Sequence, residues 1–254
     1  MITLLGNAAV AWADHRDGLM VPRPGDLVTG LRPVVNGFKV LVVAALLLMP
    51  TTLATGAAMP ASLAVAWFAL SLYSAVWLVL DVGLGFRFRV LDARVSERGA
   101  LNVLLATLVP LASPMLLALA SCFGIDVGDV GTDAACVTLG LGVWMYGFAS
   151  WGAAEAGLAG WRQARAVLAE NNYAPDARDF LHDGAWSLSR HPNYRGELAM
   201  LLGYAIISDH VIVWACMAWI ALTVHVPNLV RLDRHMHASR GEAYARYAET
   251  AWLL

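Results

Sequence analysis

The 254-residue chain is 59% apolar and 14% charged, with a mean hydropathy of +0.61 and a formal net charge of −2. A soluble domain carries about 25% charged residues, so this composition excludes an ordinary water-soluble enzyme and predicts a polytopic membrane protein. It also excludes intrinsic disorder and the basic face that binding to nucleic acid would need.

Taken in chain order, the apolar stretch Ile2 to Trp12 lacks a preceding basic segment and is followed by Asp14, His15 and Arg16. It predicts a short interfacial helix rather than a cleavable signal. Apolar runs then cover about 37–59, 61–86, 100–123 and 132–159. Each is long enough to cross a hydrocarbon core, which needs about 20 residues. Pro60 separates the first two, and Pro110 and Pro114 lie inside the third. The last apolar stretch, Glu197 to Val230, is interrupted by Asp209 and His210, which predicts a hairpin with a first helix of about 12 residues. The expected architecture is an all-α membrane helix bundle of about six to seven transmembrane helices, the last two a hairpin, with residues 1–254 forming one integral membrane domain.

Arg16, Arg23, Arg32 and Lys39 precede the first span, and Arg87, Arg89 and Arg98 follow the second. Asp126, Asp129 and Asp133 make the third connection acidic. By the positive-inside rule both termini are expected on the cytoplasmic side of an inner or plasma membrane. Lys39 is the only lysine; every other basic residue apart from histidine is an arginine, suited to bidentate contact with phosphate or carboxylate. Cys122, Cys136 and Cys216 are widely spaced and predict neither a disulfide framework nor a metal site.

Several single residues invite a role. Asp81 and Glu155 are ionisable groups in predicted spans, where charge is costly unless used or able to reach water. Tyr73 and Tyr146 are placed to donate a proton into an apolar pocket or simply to pack. His225 is expected to make a structural hydrogen bond, and His210 is given no role. His235 and His237 are two apart, so on a helix they do not face one ligand. Trp161, Trp214 and Trp219 read as interfacial anchors.

Polar residues concentrate in two segments, 161–196 and 231–254. The first holds Arg162, Arg165, Arg190, His191, Asn193 and Arg195; the second holds Arg231, Asp233, Arg234, His235, Tyr244 and Tyr247. Arginine clusters beside apolar helices suit a cofactor bearing phosphate or carboxylate; the alternative is a solvated positive loop. Within the string Ser189 to Glu197 (SRHPNYRGE), Pro192 supplies a helix start. Gly196 permits close backbone approach. Asn193 and Glu197, four apart, share a helix face, and Asn offers both donor and acceptor to a carboxamide.

The segment Trp186 to Glu197 (WSLSRHPNYRGE) resembles the signature of the steroid 5-alpha-reductase C-terminal family and its DUF1295 relatives. It is also similar to the membrane sterol C14- and C7-reductases, whose pattern is W-G-x-x-R-H-x-N-Y-x-G-D. Arg190, His191, Asn193, Tyr194 and Gly196 match, and Glu197 stands for the Asp. In the tail, Arg231, Gly241 and Tyr247 keep the register of the sterol-reductase ending R-D-x-x-K-C-x-x-K-Y-G-x-x-W-x-x-Y, with Tyr244 at the Trp, His235 at the first Lys and Leu232 at the Asp. The resemblance covers roughly the last 110 residues, and 161–254 is expected to carry the cofactor signature.

The resemblance implies that NADPH binds these two stretches. Asn193 and Glu197 would face the nicotinamide carboxamide, with Arg190, Arg231, Tyr244 and Tyr247 holding the rest. Glu155 and Arg162 look similar to an Asp and Arg pair that precedes the signature in steroid 5-alpha-reductases; Arg165, His191, Tyr194, Asp233 and His235 complete the expected cofactor set. The implied reaction is reduction of a polarised C=C bond in a lipophilic molecule entering from the bilayer, with Tyr73, Asp81 and Glu197 as candidate catalytic groups and no metal. The same superfamily contains isoprenylcysteine carboxyl and phospholipid methyltransferases, which carry R-H-P-x-Y-x-G and a later Glu-Glu pair. Arg190, His191, Pro192 and Tyr194 match them, with Asp233 kept at one acidic position and Leu232 at the other. S-adenosylmethionine is therefore the alternative cofactor.

Overall fold

The computed structural model describes residues 28–54, 59–83, 94–96, 108–128, 133–171 and 179–254. These residues are helical apart from turns and one antiparallel pair of three-residue strands, β1 (Val28–Gly30) with β2 (Arg94–Ser96). The longer helices among the described residues are α1 (Leu31–Ala54), α2 (Ala61–Leu78), α3 (Ser113–Cys122), α4 (Ala134–Glu170), α5 (Pro192–Ser208), α6 (Val211–Ile220), α7 (Val226–Arg240) and α8 (Glu242–Thr250). Two five-residue π-turns, Val79–Gly83 and Ala221–His225, follow α2 and α6.

The breaks fall where backbone chemistry requires them. Pro60 stands immediately before α2 in extended backbone, as its fixed φ and missing N–H favour. Pro110 lies in a single helical turn, Val109–Leu111, ahead of α3. Asp209, at φ 40, separates α5 from α6, and His210 caps α6 by accepting from the Ile212 N–H at 3.2 Å. The expected hairpin break is therefore present, and α5 is longer than the 12 residues expected, running for 17. Likewise α4 runs for 37 residues and extends well past the apolar run that opens it.

Among the described residues, three helical segments are long and apolar enough to cross a membrane: Ala61–Leu78, Ala134–Glu170 and Val211–Arg240. Their outward faces carry bare apolar side chains, among them Phe68, Leu139, Met145, Ile212, Trp214 and Leu222. Such a surface suits hydrocarbon rather than water. The chain is a membrane protein.

The chain divides into two compact units, each drawn from two stretches of sequence. The first takes the residues up to Leu141 together with Tyr204–Val224. Here α2 packs on α1 and α3, and α6 packs on α3 and the 109–111 turn. Leu63, Trp67 and Ala118 are fully buried at its centre, with Met59, Met115 and Leu119 against them. Lys39 is only 3% exposed, with its Nζ 3.9 Å from the Tyr73 ring centroid and 5.2 Å from that of Trp77.

The second unit takes Gly142–Gly203 and His225–Leu254. It is set by a close crossing of α4 and α5. A Cβ on Gly196 would lie 2.5 Å from the Trp151 N, one on Gly147 2.6 Å from the Gly196 carbonyl oxygen, and one on Gly203 2.6 Å from the Trp144 Cβ. No larger residue fits at this spacing without moving backbone, and small residues are how membrane helices approach each other. The C-terminal tail closes the unit through a parallel bridge between Ser189 and Trp252: Arg190 N–H donates to the Trp252 carbonyl at 2.7 Å, and Trp252 N–H to that of Leu188 at 3.1 Å.

Candidate functional site

Pro192 opens α5, so the signature residues Asn193, Tyr194 and Glu197 occupy its first turns in the second unit. Asn193 donates from Nδ2 to Glu155 Oε1 on α4 at 3.1 Å, and its Oδ1 accepts from the Tyr194 N–H at 3.0 Å. Asn193 is thereby held at both ends. Glu197 Oε2 lies 3.0 Å from His225 Nε2. The Tyr194 ring stands edge-on to His225 at 6.0 Å and to His191 at 6.1 Å. The charges of Glu155 and Glu197 act on one another, and Arg162 offsets that of Glu155. Two carboxylates thus share one corner, each with its own polar partner.

A second cluster is centred on Asp233. Its Oδ1 accepts from Arg190 Nη1 at 2.9 Å and from the Tyr244 hydroxyl at 2.8 Å. His191 Nε2 is 3.6 Å from Oδ1, and His237 Nε2 is 3.8 Å from Oδ2, one helical turn along α7. His191 is 2% exposed, and neither ring nitrogen has a hydrogen-bond partner among the described residues. Burial holds its pKa below the ordinary histidine value; Asp233 pulls the other way, and the Arg190 charge adds to the lowering. Burial pushes the Tyr244 hydroxyl far above the usual tyrosine range, and its hydrogen bond to Asp233 adds to this. Tyr247 is pushed up to about 12 by burial, against the pull of Arg190. Its hydroxyl donates to the carbonyls of Trp186 and Ser189, the latter at 3.2 Å. Phe180 packs edge-on to Tyr244 and tilted on Tyr247, at ring distances of 5.4 and 5.3 Å.

The structure therefore brings together Glu155, Asn193, Tyr194 and Glu197 in one group, and Arg190, His191, Asp233, Tyr244 and Tyr247 in the other. Arg231 donates to Asn228 on α7, and its charge acts on Tyr194. Arg162 is exposed near Glu155, while Arg165 pairs with Asp179 at 2.7 Å and stacks over Trp161. His235 is exposed, and it is His237, not His235, that reaches Asp233. Tyr73 belongs to the first unit, its ring beneath Lys39. The Asp81 side chain lies outside the described residues.

Two contributors lay outside the expected cofactor set. The i, i+4 spacing from Asp233 could have flagged His237. His225 was expected only to make a structural hydrogen bond; its partner, Glu197, lies 28 residues away and left no local signal.

A family model described as Protein of unknown function (DUF1295) matches residues 34–251. The chain belongs to the DUF1295 family. That match takes in the first half of the chain as well as the signature. No curated protein matches this DUF1295 chain.

Proposed function

We propose that this DUF1295 protein is a membrane-embedded, NADPH-dependent reductase of a polarised C=C bond in a lipophilic, steroid-like or isoprenoid molecule, akin to the steroid 5-alpha-reductases and sterol reductases its signature resembles. The observation that carries the reading is the fixed Asn193, tied to Glu155 and to the Tyr194 N–H beside Glu197. An amide immobilised at both ends is preorganised for a carboxamide, and preorganisation lowers the cost of binding. The residues fit a phosphate-bearing dinucleotide. Arg190 uses Nη1 on Asp233, and its Nε is without a hydrogen-bond partner among the described residues, as is that of Arg195. Guanidinium donors in reserve suit phosphate. Bound NADPH supplies hydride to the β-carbon of the enone. Glu155 would stabilise the positive charge left on the nicotinamide, and exclusion of water would strengthen that effect.

In this reading the chain has six to seven spans with both termini cytoplasmic, and its substrate enters from the bilayer. The basic connections at Arg87 to Arg98 and the acidic Asp126 to Asp133 support that orientation.

One observation favours a second reading. Two carboxylates acting on one another beside Arg190-His191-Pro192 also suit a cationic sulfonium, as in the S-adenosylmethionine-dependent membrane methyltransferases. The deciding experiment is a thermal-shift titration of the detergent-purified protein with NADPH and with S-adenosylmethionine. A ligand at 100 times its dissociation constant stabilises by about 2.7 kcal/mol. Stabilisation by NADPH that Asn193→Ala abolishes, with the fold retained, is expected. Stabilisation by S-adenosylmethionine alone would replace the first reading with the second.

A further inference from the structure

We infer that His225 is a positioning residue that makes Glu197 the proton donor of the site, an inference that rests on the reductase reading. The two carboxylates of the corner have unlike partners. Glu155 is held by the Asn193 amide, which has no proton to give up. Glu197 is held by an imidazole, which does. The Glu197–His225 pair is therefore the one able to store a transferable proton. Its access to water is restricted: His225 is 12% exposed and Glu197 26%, with the Tyr194 ring against the imidazole edge. The charged and titratable groups acting on this corner are Glu155, Tyr194, Arg162 and Arg231.

The backbone supplies an independent argument. His225 is the closing residue of the π-turn Ala221–His225. A π-turn inserts one residue into the helical register and so turns the residues after it by about 100° relative to an uninterrupted α-helix. Such turns are infrequent and tend to sit at functional positions. Here Pro227, two residues past the turn, has no N–H to return to the ladder, and Thr223 bonds back to the Trp219 carbonyl at 2.7 Å. The irregularity sits where it sets the direction of the imidazole.

The step is balanced as follows. Hydride brings two electrons to the β-carbon of the enone, the C=C π bond breaks, and an enolate forms. The proton shared by Glu197 and His225 leaves from the Glu197 oxygen: that O–H bond breaks as the new C–H bond forms at the α-carbon. The pair is left as carboxylate and neutral imidazole, and a proton from water, whose hydroxide passes to solvent, restores it.

The test uses the full chain in detergent, with His225→Gln, His225→Asn and Glu197→Gln. NADPH oxidation is followed with β-ionone as a lipophilic enone probe, and NADPH affinity is taken from the thermal-shift titration. His225→Gln, which keeps a donor of similar reach, is expected to lower kcat at least 30-fold with NADPH affinity within threefold of the parent, and to flatten the pH dependence of kcat. A kcat within threefold of the parent, or a loss of NADPH affinity equal to the loss of rate, overturns the inference. A readout that needs neither substrate nor cofactor is 15N-histidine NMR: the resonance lost in His225→Asn is expected to shift in Glu197→Gln. An unchanged resonance means that the pair does not form, and the inference falls. A parent protein stabilised by S-adenosylmethionine and not by NADPH instead brings down the reductase reading, and this proton delivery with it.

Discussion

The two units handle buried polarity differently. The first packs apolar side chains around Trp67 and tolerates a cation, Lys39, by laying it over the rings of Tyr73 and Trp77. The second packs backbone against backbone at Gly147, Gly196 and Gly203, and sets its charges against charges: Arg190 with Asp233, Glu197 with His225. A cation–π contact holds a charge at modest cost. Opposed ionisable pairs are expensive to assemble and cost more to break, because the survivor is left buried and uncompensated. The second unit builds several of them next to a tight helix crossing, and the proposed site lies among them.

That contrast can be broken most directly at the crossing. Gly196→Ala forces a Cβ to 2.5 Å from the Trp151 nitrogen, and overpacking of this kind is expected to cost about 3 kcal/mol. Gly37→Ala, on α1 with nothing within 4 Å, is expected to be neutral or to stabilise by about 0.5–1 kcal/mol. Thermal unfolding of both variants in one detergent decides it; equal effects would erase the distinction between the units.

The ion pairs come next. Asp233→Asn leaves Arg190 with a neutral partner and is expected to cost about 2 kcal/mol, the pair being partly solvated. Lys39→Met should cost about 1 kcal/mol or less, since the desolvated charge goes with the cation–π contact. The reverse ranking, measured by denaturant titration, would show that the first unit depends on its cation more than the second depends on its pairs.

The third effect is one of pH. His191 has a folded-state pKa below its ordinary 6.5 because it is buried. Its neutral form is therefore the folded form, and its contribution is complete above pH of about 6.5 and is lost as pH falls toward the lower folded value. Melting temperature is expected to decline between pH 7 and pH 5, and the decline should be shallower in His191→Asn. Parallel curves would show that His191 is not the group responsible.

The smallest effect belongs to Tyr247→Phe, which removes a hydroxyl shared by the Trp186 and Ser189 carbonyls. A loss of about 1 kcal/mol is expected, with the C-terminal tail exchanging its amide protons faster than the remainder of the unit.

Much of this was legible from local rules. The membrane class follows from too few charges to face water. The breaks at Pro60 and at Asp209-His210 follow from a ring that fixes φ and from polar groups that interrupt an apolar run, and α2, α5 and α6 end or begin there. The string Ser189 to Glu197 identified the residues around which both clusters form. Helix lengths were less legible: α4 continues to Glu170 because Arg162 and Arg165 are good helix formers even though they end the apolar run.

The sequence by itself thus determined what kind of solvent this protein needs, where its helices break and which string gathers the polar clusters, because all three depend on neighbours within a few residues. Only the tertiary structure decided the partners. Glu155 meets Asn193 across 38 residues, Glu197 meets His225 across 28, and Arg190 meets Asp233 across 43. Each meeting depends on how helices cross and rotate. Glycines that admit backbone contact set that rotation for α4 and α5, and a π-turn of one extra residue sets the aim of His225. Hydrophobic periodicity does not report either, since it averages over several turns and the decisive change occurs within one.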